Sequence, residues 1–240
     1  MHKIDYNEVR QLYNEMNEIW PTNDKWYEYT YKEILTYLKT FEKEHNINKN
    51  TLIINAGSAG NTYGITGEHY HIDISEKHLL NVPNSVVGSI ENMPFTDSYF
   101  DVCICVGSVI NYCDAFCSLG EIYRVLKPKG LLVLDFDQSK SFEYFGTKYY
   151  SENAEIVETF NSGFKDRTWI YSENYIDSVL KSCNFKTLKK HHYHCLSALA
   201  YRFSKDEIKA SKYARFDKLV TKIPFLKNIS CNIILTAQKI

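Results

Sequence analysis

Apolar residues keep two different rhythms along this chain. Up to about residue 50 they recur every three or four positions, the spacing of one helix face. Val9, Leu12, Tyr13, Met16, Ile19 and Trp20 form one such stripe, ended by Pro21. Asp5 and Glu8 stand ahead of it at capping-box spacing, with Ile4 and Val9 placed as a hydrophobic staple. A second helix is predicted from about Asp24, with Tyr27, Tyr31, Ile34, Leu35, Leu38 and Phe41 on one face. From Thr51 the rhythm changes to short, continuous apolar runs, which describe strands buried on both faces of a sheet. These runs are Thr51 to Ala56, Tyr70 to Ile74, Ser85 to Val87, Val102 to Val106 and Leu131 to Leu134. Two later strands are predicted near Thr187 to Tyr193 and at Asn232 to Gln238.

Helical stretches lie between the runs. One follows Ser75, and one precedes Arg124-Val125-Leu126-Lys127-Pro128-Lys129-Gly130, whose Pro-Lys-Gly reads as a sharp stop before the next strand. Another is capped by Ser172, with Tyr175, Ile176, Val179 and Leu180 as its apolar positions. The last is predicted from a Ser204–Glu207 capping box, stapled by Phe203 and Ile208, with Ile208, Phe216, Leu219 and Val220 facing inward. Strands alternating with helices predict an α/β fold with a doubly wound, mostly parallel sheet. Between the first two strands only about Thr62 to Glu68 remains, interrupted by Gly64 and Gly67. No helix of more than a turn fits there. The N-terminal helix pair is the candidate cover for the face left bare. Residues 1–50 are accordingly read as a helical cap belonging to the same domain as residues 51–240.

Composition narrows the class. The chain has 240 residues, 44% of them hydrophobic, and a net charge of −1. That balance offers no reason to expect a nucleic acid or an acidic membrane as partner. Seven cysteines, without a signal peptide or an apolar stretch of ~18 residues, point to the reducing cytosol and to no membrane span. Cys103 and Cys105 alternate along a buried run and read as core residues. His191, His192 and His194 sit close together, but alternation along a strand sends them to opposite faces, so no metal site is expected. Aromatic residues make up 15% of the chain, 19 of them tyrosines, which suits a cleft for an amphipathic ligand.

The segment from Tyr99 to Asp135, YFDVCICVGSVINYCDAFCSLGEIYRVLKPKGLLVLD, resembles the fourth and fifth strands of class I S-adenosylmethionine (SAM) dependent methyltransferases. Those enzymes join the two strands by a segment much like Arg124 to Gly130. The resemblance runs from about Thr51 to Phe136 and implies a Rossmann-like, seven-stranded sheet ending in an antiparallel hairpin. It also implies a cofactor site. The loop Asn55-Ala56-Gly57-Ser58-Ala59-Gly60-Asn61 stands where the family has acid-x-Gly-x-Gly-x-Gly, with only the first glycine in register. Asp73, in His71-Ile72-Asp73-Ile74-Ser75, matches the family's acid for the ribose hydroxyls, and Ile74 would lie against the adenine. Gly88-Ser89-Ile90-Glu91-Asn92-Met93-Pro94-Phe95 resembles the segment that meets the adenine edge, with Ser89 replacing a frequent Asp. Val106 and Gly107 would form the floor beneath the methionine portion. The cofactor-binding candidates are therefore Asn55, Ala56, Gly57, Asp73, Ile74, Ser89, Ile90, Glu91, Val106 and Gly107.

For the methyl acceptor, three aromatic groups are available. They are Trp20, Trp26, Tyr27 and Tyr31; Asn111 with Tyr112; and Phe142, Tyr144, Phe145, Tyr149 and Tyr150. Tyr27, Tyr31, Asn111 and Tyr112 are the substrate-binding candidates. Asp135 or Asp137 could face the acceptor, but no general base stands out. The resemblance implies a SAM-dependent enzyme that methylates an O or N atom of a small molecule. A non-catalytic binding or scaffold protein is the alternative, because Asn55, Ala59, Asn61 and Ser89 depart from the family pattern together. A nucleotide-dependent oxidoreductase fits poorly. Gly57, Ala59 and Thr62 do not make G-x-G-x-x-G, and the missing helix removes the dipole that would hold a pyrophosphate.

Overall fold

The structure is a computed structural model that describes residues 4–161, 164–220, 223, 226 and 228–240. Its sheet is built from β1 (Leu52–Ala56), β2 (Glu68–Asp73), β3 (Ser85–Val87), β4 (Phe100–Cys105), β5 (Leu126–Asp137), β8 (Phe185–Tyr193) and β9 (Asn232–Lys239). These lie in the order β3-β2-β1-β4-β5-β9-β8. The first five are parallel; β9 runs antiparallel between β5 and β8. Strand order reverses between β1 and β4, and a crevice opens beyond the carboxyl ends of strands at such a switch point.

Alternation along each strand divides the core between two faces. Ile54, Cys103, Cys105, Leu132 and Leu134 point to one face, packed under α4 (Ala115–Val125) and α5 (Glu173–Ser182). Ile53, Val102, Ile104 and Val133 point to the other. There α2 (Lys25–Glu44) lays Ile34, Leu38 and Phe41 onto the sheet. Asp24 starts α2 by accepting the amides of Trp26 at 2.8 Å and Tyr27 at 3.2 Å. No helix intervenes between β1 and β2, as the short crossover requires, so α2 supplies the missing cover. Each of its three fully buried anchors contributes roughly 1.5–3 kcal/mol of burial free energy.

The other N-terminal helix does a different job from the one expected. α1 covers only Tyr6–Glu15; Met16 is already extended, so Ile19 and Trp20 lie beyond the helix rather than on its stripe. Its exposed carbonyls and side chains are taken up by the segment around α3 (Glu76–Leu79). His78 Nε2 donates to the Tyr13 carbonyl at 2.9 Å, Lys77 Nζ to that of Met16 at 2.7 Å, and Ser75 Oγ to Asn14 at 2.8 Å. Satisfying those groups from another element stops the helix a turn early and carries α1 over the switch point instead of the bare sheet face.

Three further differences from the sequence reading have physical reasons. The Pro-Lys-Gly stop is absorbed into the start of β5: α4 ends at Val125, Leu126 already pairs with Phe100, and the β4–β5 register shifts just after. A hairpin of β6 (Ala154–Asn161) and β7 (Phe164–Tyr171) was not foreseen. Only two residues, Ser162 and Gly163, separate its strands in sequence, which is the signal that was available. Past β8, a helix α6 (Leu196–Ser204) precedes α7 (Glu207–Ser211) and α8 (Asp217–Val220). Ser204 therefore ends a helix, and Asp206 caps α7 by accepting the Lys209 amide at 3.0 Å. Phe203, Ile208, Phe216 and Leu219 are exposed, so neither the staple nor the inward face forms; Val220 alone of that set is buried.

Candidate functional site

Two loops meet at the switch point, and each is held by a carboxylate from the next strand. After β1 the chain turns at Gly57, with φ +73°. A Cβ there would come within 2.3 Å of Val109 Cγ1, so only glycine fits. The Ala59 amide then donates to Asp73 Oδ2 at 2.8 Å, and the Ser75 amide to Asp73 Oδ1 at 2.8 Å. Burial pushes the Asp73 pKa up, and these two amides pull it part of the way back. Each carboxylate oxygen keeps a further lone pair for a partner in the crevice. Beside it Ser58 Oγ lies 3.0 Å from His71 Nδ1. Burial, then the nearby His69, brings the His71 pKa down to about 4, so the ring is neutral at pH 7.

After β4, Gly107 and Ser108 are both left-handed, with φ +84° and +58°. Their amides donate to Asp135 Oδ2 at 3.0 and 3.1 Å, and Tyr193 Oη donates to Asp135 Oδ1 at 2.7 Å. Burial is the main reason that the Asp135 pKa rises to about 7. Asp137 holds the same turn from the other side. Its Oδ1 accepts from Ser108 Oγ at 2.8 Å and from Asn232 Nδ2. Asn111 is spent on structure too, donating to the Asp137 and Trp169 carbonyls and accepting the Asp137 amide at 3.0 Å.

Between these loops and α1 lies a cavity of about 70 Å³. Gly57, Asp73, Ile74, Ser89, Ile90, Val106 and Gly107 are in its wall. Asn55, Ala56 and Glu91 are not. Asn55 is buried and turns its Nδ2 to His69 Nδ1 and the Tyr70 carbonyl, because its position on β1 faces along the sheet toward β2. Ala56 is a core residue, and Glu91 bonds Tyr6 Oη, anchoring α1. Sequence reasoning missed Tyr6, Val9 and Tyr13, which close this cavity from α1. Their spacing reads equally well as ordinary helix core, so no local signal marked them.

A second, larger cavity of about 540 Å³ adjoins the first. Tyr13, Ile19, Trp20, Gly107 and Tyr112 belong to both walls. Trp20 packs against the turn: a Cβ on Gly107 would come within 3.1 Å of its ring. Its Nε1 is shielded from solvent and has no partner among the described residues. Of the substrate candidates, Tyr27, Asn111 and Tyr112 line the second cavity. Tyr31 stands behind, its ring 4.9 Å from that of Trp20. Asp137 reaches this cavity, whereas Asp135 is turned to its loop. The hairpin adds Glu158 and Asp166, the latter accepting from Tyr112 Oη. Tyr144 and Tyr149 also line it, while Phe145 is exposed. The histidines are structural. His191 pairs with Glu33 at 2.9 Å, His192 with Ser230 at 3.1 Å, and His194 bridges Thr30 and Ser197 while stacked on Trp26.

Residues 51–134 match the methyltransferase domain family. Over that span the chain is similar to the class I SAM-dependent methyltransferases. Among curated relatives, a 24-methylenesterol C-methyltransferase of Oryza sativa subsp. japonica is 29% identical over 145 residues, covering 57% of this chain and 38% of the relative. A ubiquinone/menaquinone biosynthesis C-methyltransferase, UbiE, of Paraburkholderia phymatum is 36% identical over 86 residues, covering 31% of this chain and 35% of the relative. The chain thus spans little more than a third of those relatives' length. The solved structure of the cyclase SpnF aligns over 100% of this chain and 97% of its own, at 13% identity and a TM-score of 0.63. That likeness concerns the fold, seven strands with a C-terminal antiparallel pair.

Proposed function

We propose that this chain transfers a methyl group from SAM to a small-molecule acceptor, with the cofactor in the first cavity and the acceptor in the second. The observation that carries this reading is the wall of Tyr13, Trp20, Gly107 and Tyr112 common to both cavities. Methyl transfer is an in-line displacement and needs donor and acceptor on either side of one narrow passage. The residues present fit the cofactor. Asp73 offers a carboxylate with spare lone pairs for a ribose diol, and Ile74 and Ile90 flank an apolar slot for a flat base. Tyr13, Trp20 and Tyr63 give aromatic faces for a cation. SAM when bound supplies an electrophilic methyl on a sulfonium.

The chain's own residues then do the rest. Tyr6, Val9 and Tyr13 on α1 exclude water from the first cavity. Residues 1–50 act as a cap within the same unit as residues 51–240. Asp137 lines the second cavity, beside the turn at Ser108, and can receive a proton from an oxygen or nitrogen acceptor. Burial raises its pKa, which makes it a better base than an exposed carboxylate. A carbon acceptor is the second reading, favoured by the names of both C-methyltransferase relatives. A reducing compartment such as the cytosol suits the buried thiols of Cys103, Cys105 and Cys231. No helix among the described residues is long and apolar enough to cross a membrane.

Calorimetric titration with SAM and with S-adenosylhomocysteine tests the assignment. Both bind the native chain, and Asp73→Asn weakens them by roughly tenfold or more, since a hydrogen bond to a charged group contributes about 1.5–3 kcal/mol. Absence of binding by the native chain overturns the enzyme reading and leaves the scaffold alternative.

A further inference from the structure

Surface helices ordinarily bury their large apolar side chains and expose small or polar ones. Between α6 and α8 the reverse holds. Ala198, Ala210 and Ala214 are buried, while Phe203 is 82% exposed, Ile208 65% and Leu219 64%. Tyr213 and Phe216 are exposed as well. The segment is not loose. Asp217 is buried beneath it, and its carboxylate caps α6 by accepting the Cys195 and Leu196 amides at 3.0 and 2.9 Å. Its fold is therefore built around alanines and a capping carboxylate, and its aromatic and aliphatic side chains are held outward.

Charge says what covers that face. Six basic residues stand against three acidic ones between Arg202 and Leu219, in a chain whose net charge is −1. One of the acids, Asp217, is internal, and another, Asp206, pairs with Lys209 at 2.9 Å. Lys205, Lys212 and Arg215 are exposed among the apolar groups, the Arg215 guanidinium lying 4.7 Å from the Phe216 ring. Outward apolar side chains interleaved with cations suit the boundary of an anionic bilayer, where the rings enter the headgroup region and the cations meet phosphate. Cations and apolar side chains here are interleaved along three short, successive helices, from Phe203 to Leu219. The surface is also continuous with the second cavity, since Tyr201, Arg202 and Lys205 line its wall.

We infer that the α6–α8 segment docks the protein on an anionic lipid surface, with the mouth of the second cavity beside the bilayer. This goes beyond the methyl-transfer reading and does not depend on it. Flotation with vesicles of phosphatidylcholine alone, and of phosphatidylcholine mixed with phosphatidylglycerol, tests it on the full chain. The protein is expected to float with the mixed vesicles and not with the neutral ones. Lys212→Glu with Arg215→Glu lowers binding by at least about tenfold, as does raised salt. Phe203→Ser with Leu219→Ser does the same, while thermal melting of that variant stays near native because the two side chains are 82% and 64% exposed. Failure to float overturns the inference, as does flotation that the variants leave unchanged. A concentration-dependent dimer that the apolar variant dissolves, without vesicle binding, would assign the face to a second copy of the chain and overturn it too.

Discussion

Asp73 and Asp135 invite comparison. Each is a buried carboxylate near the carboxyl end of a strand, and each accepts backbone amides from the loop after a neighbouring strand. Asp73 accepts two amides and stands in the wall of the first cavity. Asp135 accepts two amides and a tyrosine hydroxyl and lies outside both cavity walls. The same side chain in the same topological position is thus available to a ligand in one loop and consumed by the protein in the other. Hydrogen-bond accounting separates the two roles where residue type does not.

The largest break in this comparison is Asp135→Ala. It leaves the Gly107 and Ser108 amides and the Tyr193 hydroxyl buried without an acceptor, and frees two left-handed residues in succession. The expected loss is about 3–5 kcal/mol in a urea melt, from desolvated donors left unpaired. Tyr193→Phe is milder, at roughly 1–2 kcal/mol, because it removes a single donor and keeps the ring in the core. A melt of Tyr193→Phe as damaging as that of Asp135→Ala would show that the hydroxyl, rather than the loop amides, is the main reason for the carboxylate.

The smallest effect sharpens the comparison most. The folded pKa of Asp135 is raised to about 7 by burial. The folded protein therefore holds a proton that the unfolded chain, with a carboxyl pKa of about 4, has released. Stability from this group is present at low pH and is lost as pH rises toward the folded pKa. His71 and His194, whose pKa values burial lowers to about 4 and 3, act in the opposite sense, because in the unfolded chain their rings are still losing protons just above about pH 6.5. From about pH 6.5 to 8 the two contributions oppose each other. Asp135→Asn mimics the neutral carboxyl, its amide donating to Tyr193 and its oxygen accepting the loop amides, so its melting temperature should rise more steeply with pH than that of the native chain over that range. The same substitution at Asp73 should lose cofactor and also cost stability, since its NH2 would face one of the two backbone amides that the carboxylate accepts. An equal pH slope in Asp135→Asn and the native chain would remove Asp135 as a contributor.

Much of the sheet was legible because continuous apolar runs have few other uses: β3 agrees at both ends, and β1, β2, β4 and β9 within about two residues. Asp73 and the glycine turn could be named because a loop at a switch point constrains residue types. What failed, failed for identifiable reasons. Asn55 stands at the family's acid position but outside the first cavity's wall, its Nδ2 bonded to His69 and the Tyr70 carbonyl. The stripe through Trp20 has helical spacing, but groups from α3 end the helix at Glu15. Ile208, Phe216 and Leu219 have the spacing of an inward face, and the structure turns that face out.

The sequence by itself determined the α/β alternation, the parallel strands, the missing first crossover helix and the carboxylate at the end of β2. These are local properties, set by periodicity, chain length and the backbone demands of a tight turn. Only the tertiary structure decided which helix covers the sheet, which places Trp20 between two cavities, and which carboxylate remains open to a ligand. Periodicity tells which side chains share a face but not what that face meets, because burial is a property of the neighbour as much as of the residue.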